Sequence, residues 1–137
     1  MRVNDVDESQ EILPGIHTKG KMGTSIPEQG LFLETSRGLV VITGCAHPGV
    51  DKMVRRTKGV GGGNIRLVVG GFHLGSASTA EVRGICAAFR ELGVQKVAPC
   101  HCTGDQAMDI FADEFGDDYV PAGVGLVFDL VPWTRPP

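Results

Sequence analysis

The sequence has little that would draw it to a membrane or to nucleic acid. It contains no run of lysine and arginine, and its 13 basic against 16 acidic side chains give a net charge of −3, so attraction to phosphate-rich partners is not expected. No apolar run approaches the roughly 18 residues of a membrane span. The polar, acidic N-terminus is unlike a signal peptide. We therefore expect a cytoplasmic protein that binds neither nucleic acid nor membranes.

Features that would divide the chain are also missing. The sequence shows no repeats, no low-complexity tract and no linker, and its 137 residues are enough for one domain with its own core. We expect a single domain over residues 1–137. Within it, residues 1–28 are expected to form an irregular leader, because glycine and proline interrupt them repeatedly.

The pattern after this leader predicts alternating strands and helices. The predicted strands are 31–35, 39–44, 64–71, 94–100 and 123–130, and the predicted helices run from Pro48 to about Lys58, over 79–92 and over 104–115. Ser78 with Glu81, and Thr103 with Gln106, have the spacing of capping boxes at the second and third helices. This order predicts a layered α/β fold with a mixed sheet.

The four cysteines are not equivalent. In a cytoplasmic context they are expected to be reduced. Cys86 falls on the apolar face of the second predicted helix, which makes it a core residue. Cys45, Cys100 and Cys102 each lie at the end of a predicted strand, beside a histidine. These three are the candidates for chemistry.

Three of the four histidines directly follow an apolar strand. They are His47 in VVITGCAH, His73 in RLVVGGFH and His101 in KVAPCH. One histidine at a strand end is commonly a hydrogen-bonding residue, but parallel neighbouring strands would gather three at the edge where α/β sheets bind ligands. Imidazole and thiolate both bind zinc, so we predict a shared metal site. His17, in PGIHTKG, is expected on the surface.

The segment PCHCTG raises a question of geometry. In an extended strand Cys100 and Cys102 face one side and His101 the other, so they cannot all bind one ion unless the strand breaks. A helix capped by Thr103 would set that break and aim its free N–H groups at the site. Such a helix end lowers the pKa of a nearby thiol or binds phosphate. The candidate anion-binding residues are Thr103, Gly104 and Gly71.

Three segments resemble a known family: EQGLFLETSRGLVVITGCAHPGV, VVGGFHL and APCHCTG. They are similar, in order and at suitable distances, to segments of metallo-β-lactamase-fold hydrolases. The branch is that of 7,8-dihydropterin-6-methyl-4-(β-D-ribofuranosyl)aminobenzene-5′-phosphate synthase-like proteins. The resemblance is to the C-terminal half of the family's domain, and the HxHxDH motif of the N-terminal half is absent from the sequence. It implies half of an αββα sandwich, a mixed sheet with helices on one face.

The resemblance also implies roles for individual residues. His47 and His101 match metal ligands, His73 matches a ligand or substrate contact, and Cys45 stands about where many relatives place a bridging aspartate. Without the HxHxDH motif we expect one ion, zinc or else iron or manganese, held by these histidines and a cysteine. A half-sandwich would leave one apolar sheet face uncovered, which a homodimer would cover.

The sequence leaves three functions open. The first, which we favour, is a minimal metal-dependent hydrolase of phosphate or carboxylic esters, in which Asp51 or Asp105 could assist as a base, although both also suit the first turn of a helix. The second is a metal-free hydrolase with Cys45 or Cys102 as nucleophile and a neighbouring histidine as base. The third is a non-catalytic half-domain that binds a metal or a partner.

Overall fold

The computed structural model describes residues 6–130, which form a six-stranded mixed sheet and three α-helices. The strands are β1 (Gln10–Leu13), β2 (Ile16–Thr18), β3 (Leu31–Thr35), β4 (Gly38–Thr43), β5 (Ile65–Gly71) and β6 (Lys96–Cys100), and the helices are α1 (Val50–Gly61), α2 (Thr79–Glu91) and α3 (Asp105–Phe115). The strands lie in the sheet in sequence order. The predicted α/β class with a mixed sheet is therefore confirmed.

The direction of the strands changes in the middle of the sheet. Strands β1 to β4 pair antiparallel, whereas β4, β5 and β6 pair parallel. Because a parallel pair needs a crossover, α1 connects β4 to β5 and α2 connects β5 to β6. The three parallel strands therefore end at one edge of the sheet, here called the C-terminal edge.

All three helices pack on one face of the sheet and enclose the main core. At its centre the ring of Phe72 meets those of Phe89 and Phe111 edge-on, at centroid distances of 5.8 and 5.3 Å. Cys86 is fully buried there, as predicted, and burial raises the pKa of its thiol to about 11. None of the helices within residues 6–130 has the length and apolar character needed to cross a bilayer.

The opposite face of the sheet is partly covered by the segment after α3. Val40, Leu67 and Ala98 are buried on this face beneath that segment, which includes Phe128. The prediction of a wholly uncovered face is wrong for this reason. The predicted strand over 123–130 is also absent, because the chain bends there and Gly125 adopts a φ of +91° that an extended strand does not allow.

The leader is more regular than expected. Its strands β1 and β2 pair with each other around Gly15, whose φ of +74° permits the tight turn, and β2 also pairs with β3. His17 is not a free surface residue, because its ring stacks on Phe32 at 4.6 Å and its Nε2 lies 3.1 Å from Glu34 Oε1. The pairing of a strand with a distant neighbour outweighs the local glycine and proline signal.

The helix starts differ in how they are capped. At α2 the predicted capping box is confirmed, since the Ser78 hydroxyl accepts from the Glu81 N–H and the Glu81 carboxylate accepts from the Ser78 N–H. The corresponding prediction for α3 is wrong. That helix begins at Asp105, with Gly104 as its N-cap residue and no side-chain cap. Thr103 is engaged elsewhere, as described below.

Candidate metal centre

The loops after β4, β5 and β6 bring the predicted histidines to the C-terminal edge. The rings of His47 and His73 lie 4.2 Å apart, centroid to centroid. His101 Nε2 lies 3.3 Å from Cys45 Sγ, across the sheet rather than along one strand. The structure therefore places the thiol of Cys45 beside the histidine of another strand, His101.

Backbone strain concentrates in these same loops. Within residues 6–130, the non-glycine residues with positive φ are Ala46 (62°), His73 (52°) and His101 (55°). Such left-handed conformations cost about 1–3 kcal/mol each and persist where the surrounding structure imposes them. The turn at His101 follows directly on the last residue of β6, Cys100, and places His101 and Cys102 in one cluster. The strand therefore breaks at His101 itself, before Thr103.

Cys45, His101 and Cys102 form the thiol cluster, in which one ligand atom of each lies within 4.8 Å of the others. Cys102 Sγ also lies 3.5 Å from the carbonyl oxygen of Cys45. Two thiol sulfurs and an imidazole nitrogen are a donor set that zinc prefers, so these residues fit a metal ion by their chemistry. Cys100 stands outside the cluster, and burial raises the pKa of its thiol.

Gly71 and Gly104 contribute by their lack of a side chain. A Cβ on Gly71 would lie 2.4 Å from the Gly44 carbonyl oxygen and 2.8 Å from Cys102 Sγ. A Cβ on Gly104, whose φ is +85°, would lie 2.7 Å from Gly75 Cα. The Gly71 N–H also donates to the Gly44 carbonyl at 2.9 Å. Both glycines therefore let backbone segments approach closely, and their predicted anion binding stays a prediction.

Thr103 joins two of the loops from inside the protein. It is fully buried, its hydroxyl accepts from the Phe72 N–H at 3.2 Å, and it donates to the Cys100 carbonyl at 2.7 Å. The hydroxyl is thus not available to a substrate anion, contrary to the prediction. Thr103 instead ties the end of β5 to the end of β6, which keeps the two loops in register.

Glu28 is the site residue that the sequence analysis missed. Its Oε1 accepts from the Cys45 N–H at 3.1 Å, and its Oε2 accepts from the His47 N–H and lies 2.9 Å from His47 Nδ1. No local motif indicates this contact, because Glu28 precedes Cys45 by 17 residues. Its position just before β3 places it beside the loop after β4.

The hydrogen bonds to Glu28 determine its charge and the tautomer of His47. Burial raises the pKa of Glu28, but the hydrogen bonds from His47 and Cys45 outweigh burial and leave the pKa below its ordinary value. Glu28 is therefore ionised at neutral pH, and a carboxylate only accepts. In the neutral form of His47, Nδ1 then carries the proton, which leaves Nε2 with the lone pair that binds a metal or accepts a proton.

The Cys45 thiol is less acidic than an isolated cysteine. Its hydrogen bond with Cys102 raises the pKa of Cys45, and burial and the nearby charges of Cys102 and Glu28 raise it further. Because the thiolate is the nucleophilic form, this environment disfavours Cys45 as a nucleophile in the absence of a metal.

Two grooves meet at His73. One, of about 350 Å³, is lined by His47, His73 and Lys52 together with the chain from Gly23 to Ile26. The other, of about 450 Å³, is lined by His73, Asp51 and the start of α2. Asp51 thus borders the site from the first turn of α1 and is not among the residues that cluster with Cys45.

A buried lysine lies beneath the site. Lys19 is fully buried, and its Nζ has no hydrogen-bond partner among residues 6–130. Burial lowers the pKa of Lys19 to about 7, while the negative charge of Glu28 acts in the opposite direction. Lys19 and Glu28 are therefore electrostatically linked, although no hydrogen bond to Lys19 Nζ joins them.

Comparison with known proteins places this geometry in context. No protein-family model matches the sequence. The 7,8-dihydropterin-6-methyl-4-(β-D-ribofuranosyl)-aminobenzene-5′-phosphate synthase of Methanocaldococcus jannaschii is 39% identical over 101 residues, which are 73% of this chain and 34% of that protein. The crystal structure of a metal-dependent hydrolase of the β-lactamase superfamily matches with a TM-score of 0.77 and 36% identity, over 91% of this chain and 56% of the other.

These matches confirm the predicted resemblance and the predicted fold. The chain spans about a third of the curated relative and little more than half of the solved hydrolase. Such partial coverage agrees with a fold that corresponds to about half of the larger domain.

Proposed function

The chain is a sequence and fold relative of metallo-β-lactamase-superfamily proteins, and from this premise we propose that it is a metal-dependent hydrolase of phosphate or carboxylic esters. The observation that carries the proposal is the thiol cluster, whose donor atoms lie within 4.8 Å of one another at the C-terminal edge. Zinc is the ion that best suits two thiolates and an imidazole, and one ion is what three such donors support.

The residues around the cluster have separate tasks in this proposal. Cys45, His101 and Cys102 would hold the ion, which when bound supplies Lewis acidity toward an ester carbonyl or phosphoryl oxygen. His47 presents the unprotonated Nε2 and can take up a proton as general base or add a fourth ligand. His73 lies against His47 and borders both grooves, which makes it a substrate contact.

The charge of the smaller groove favours an anionic substrate. Lys52 lines that groove beside His47 and His73, and the hydroxyls of Thr24 and Ser25 line it as well. A lysine and hydroxyl groups bind phosphate or carboxylate oxygens. The name of the Methanocaldococcus relative contains a 5′-phosphate, which supports including phosphate esters among the substrates.

Metal analysis with a matched pair of cysteine variants tests the metal site. We expect about one zinc per chain in the wild type, loss of zinc in Cys102→Ser, and retention in Cys100→Ser, because Cys100 lies outside the thiol cluster. Hydrolysis of p-nitrophenyl phosphate, bis-p-nitrophenyl phosphate and p-nitrophenyl acetate, with and without a chelator, tests the activity. A zinc-loaded protein that hydrolyses none of them contradicts the hydrolase proposal and favours a non-catalytic metal-binding module.

One observation favours a second candidate, a cysteine-dependent hydrolase. Cys45 Sγ and His101 Nε2 are 3.3 Å apart, the geometry of a nucleophile and its base. The raised pKa of Cys45 is against it. Activity that survives a strong chelator but is lost in Cys45→Ser would establish this alternative and overturn the metal-dependent one.

We also propose that the chain forms a homodimer through the sheet face opposite the helices, at the segment that covers part of it. Leu126 and Val127 are 42% and 80% exposed on the segment that covers part of this face, and a second copy would offer the same apolar segment in return. Light scattering should show a dimer for the wild type and a monomer for Val127→Asp. Val60→Asp is the control, since Val60 is exposed on α1 instead. A monomeric wild type contradicts the proposal.

A further inference from the structure

A second set of residues at the edge also meets the distance expected of a metal site. One ligand atom each of Glu28, Cys45 and His47 lies within 4.8 Å of the others. Its chemistry differs from that of the thiol cluster, because both oxygens of Glu28 already accept hydrogen bonds from the loop after β4. A carboxylate engaged by three N–H groups has little left to offer a cation.

We propose that Glu28 is a positioning residue, which clamps the Cys45–His47 loop and fixes the tautomer of His47, and is not a metal ligand. The inference rests on the proposed function in one respect, since it names what holds two residues of that site in place. Glu28 acts on the thiol cluster through Cys45, whose backbone N–H it binds at 3.1 Å.

The loop needs such support because its backbone is unfavourable. Ala46, between the two amides that Glu28 accepts from, has a φ of 62°, and Gly49 at the end of the loop has a φ of 106°. A non-glycine residue in this region holds its conformation only where other contacts impose it. The two backbone hydrogen bonds to Glu28 flank Ala46 and supply that constraint.

Glu28 is itself held rigidly. Its N–H donates to the Met22 carbonyl at 2.9 Å, and its carbonyl accepts from the Met22 N–H at 2.8 Å. The next strand, β3, begins three residues later at Leu31. The backbone of Glu28 is therefore anchored by Met22, which lies outside the loop after β4. The carboxylate can for this reason hold that loop in place.

The effect on metal binding follows from the general behaviour of such supporting groups. A residue that orients a ligand, when mutated, typically lowers metal affinity by about 10–100-fold without abolishing binding. A true ligand lost from a three-donor site has a larger effect. Two observations therefore distinguish a positioning residue from a metal ligand. One is the size of the loss in metal affinity, and the other is a change in the loop of the metal-free protein.

The test uses Glu28→Gln, with Glu34→Gln as the matched control. Glu34 Oε1 lies 3.1 Å from His17 Nε2, a distance close to the 2.9 Å between Glu28 and His47. His17 and Glu34 belong to β2 and β3, outside the loops that carry the site. In the metal-free protein, long-range ¹H–¹⁵N spectra should show the proton of His47 on Nδ1 in the wild type and in Glu34→Gln. In Glu28→Gln this preference should be lost and the Cys45 amide signal should shift.

Metal affinity is measured separately, by Zn²⁺ competition against a chromophoric chelator. We expect Glu28→Gln to bind zinc about 10–100-fold more weakly and Glu34→Gln to match the wild type. An unchanged His47 tautomer and Cys45 amide in Glu28→Gln overturn the clamp, and if zinc binding is abolished as well, Glu28 is a ligand. If the wild type binds no zinc, the proposed metal site fails, whereas the metal-free spectra still decide the clamp.

Glu28→Asp covers the case in which Glu28→Gln does not fold. Aspartate keeps the charge but is shorter by one methylene, so it can reach only part of the loop. We expect the Nδ1 proton of His47 to be retained less completely than in the wild type. Wild-type spectra and wild-type zinc affinity in Glu28→Asp contradict the need for a carboxylate at this distance.

Discussion

Two histidine–glutamate pairs with similar N···O distances lie in different halves of the sheet. His47 Nδ1 is 2.9 Å from Glu28, and His17 Nε2 is 3.1 Å from Glu34. All four side chains are half-buried, with exposures between 17% and 29%. The two pairs are therefore similar in separation and accessibility, but His47 Nδ1 forms a hydrogen bond with Glu28, whereas His17 Nε2 has no hydrogen-bond partner among residues 6–130. The surrounding backbone separates them further.

The His17 pair lies along the antiparallel strands, where the ring of His17 stacks on Phe32 with an interplanar angle of 4°. The His47 pair lies where a parallel strand ends, and its glutamate also holds two amides of a strained loop. The comparison teaches that a paired histidine indicates function only together with its place in the sheet. At the C-terminal edge of parallel strands, loops from separate crossovers can converge on one ligand.

The largest expected effect is a difference in zinc binding between a variant at the C-terminal edge and a variant in the antiparallel strands. His101→Ala should lose zinc, because it removes one of three donors in the thiol cluster. His17→Ala should keep zinc and lose the stacking on Phe32 and the contact with Glu34, about 1 kcal/mol of unfolding free energy for the stacking. Elemental analysis and urea unfolding measure both. Equal loss of zinc in the two variants would contradict the assignment of the site to one edge.

The second prediction concerns the buried lysine that follows β2. The pKa of Lys19 is about 7 in the folded protein against 10.5 as the ordinary value, so between these pH values the unfolded chain binds more protons. The free energy of unfolding should therefore rise with pH in this window, by up to about 1.4 kcal/mol per pH unit.

Lys19→Met should remove this rise and stabilise the protein most at and below pH 7, where the folded state otherwise carries a buried charge. Urea unfolding at pH 6.5, 8 and 9.5 measures the slope. Lys21→Met is the control, because Lys21 is exposed. A slope that survives in Lys19→Met would contradict the assignment.

A third prediction compares two glycines. Gly71→Ala should destabilise the protein by about 1–3 kcal/mol and weaken zinc binding, because the new Cβ would lie 2.4 Å from the Gly44 carbonyl oxygen and 2.8 Å from Cys102 Sγ. Gly84→Ala lies within α2, where no atom of residues 6–130 outside the adjacent helix backbone comes within 4 Å of the new Cβ, and should stabilise by about 0.5–1 kcal/mol. Thermal and urea unfolding measure both, and a neutral Gly71→Ala would contradict the close approach.

The smallest effect is expected in acid. The pKa of Glu28 is lowered in the folded protein, so its carboxylate stabilises the fold above its ordinary pKa, and this contribution is lost as the pH falls through the folded value. Glu28→Gln should flatten the decline of stability as the pH falls below the ordinary pKa of glutamate. Unfolding curves at acidic pH provide the measurement, and an unchanged acid profile in Glu28→Gln would contradict a stabilising role of this carboxylate in the fold.

The parts of the site that the sequence predicted depend on local signals. Buried strands appear as short apolar runs, and the residue after such a run is visible as a strand end, so the position of His47, His73 and His101 at one edge could be predicted from the sequence. The division of His47 and His101 between two clusters, neither of which contains His73, could not. The capping box of α2 is likewise contained within four residues. These features require no knowledge of distant contacts.

The parts that were missed depend on contacts between distant segments. The pairing of β3 with β4 brings Glu28 to the loop of Cys45 and His47, and no residue near Glu28 in the sequence indicates this contact. An extended strand would have placed Cys100 and Cys102 on one side and His101 on the other. The left-handed turn at His101, which the surrounding loops impose, prevents this arrangement. Similarly, β1 and β2 form because they have partners in the sheet, despite the glycines around them.

The positive φ of His101 means that this position has two requirements at once, one from the proposed metal coordination and one from backbone conformation. Among residues that cannot replace the imidazole, asparagine enters the left-handed region with little penalty, whereas valine does not. His101→Asn therefore removes the imidazole but keeps the left-handed turn, whereas His101→Val removes the imidazole and also destabilises the turn. A redesign of the proposed metal site must therefore start from residues that tolerate a positive φ at position 101, and few residue types do.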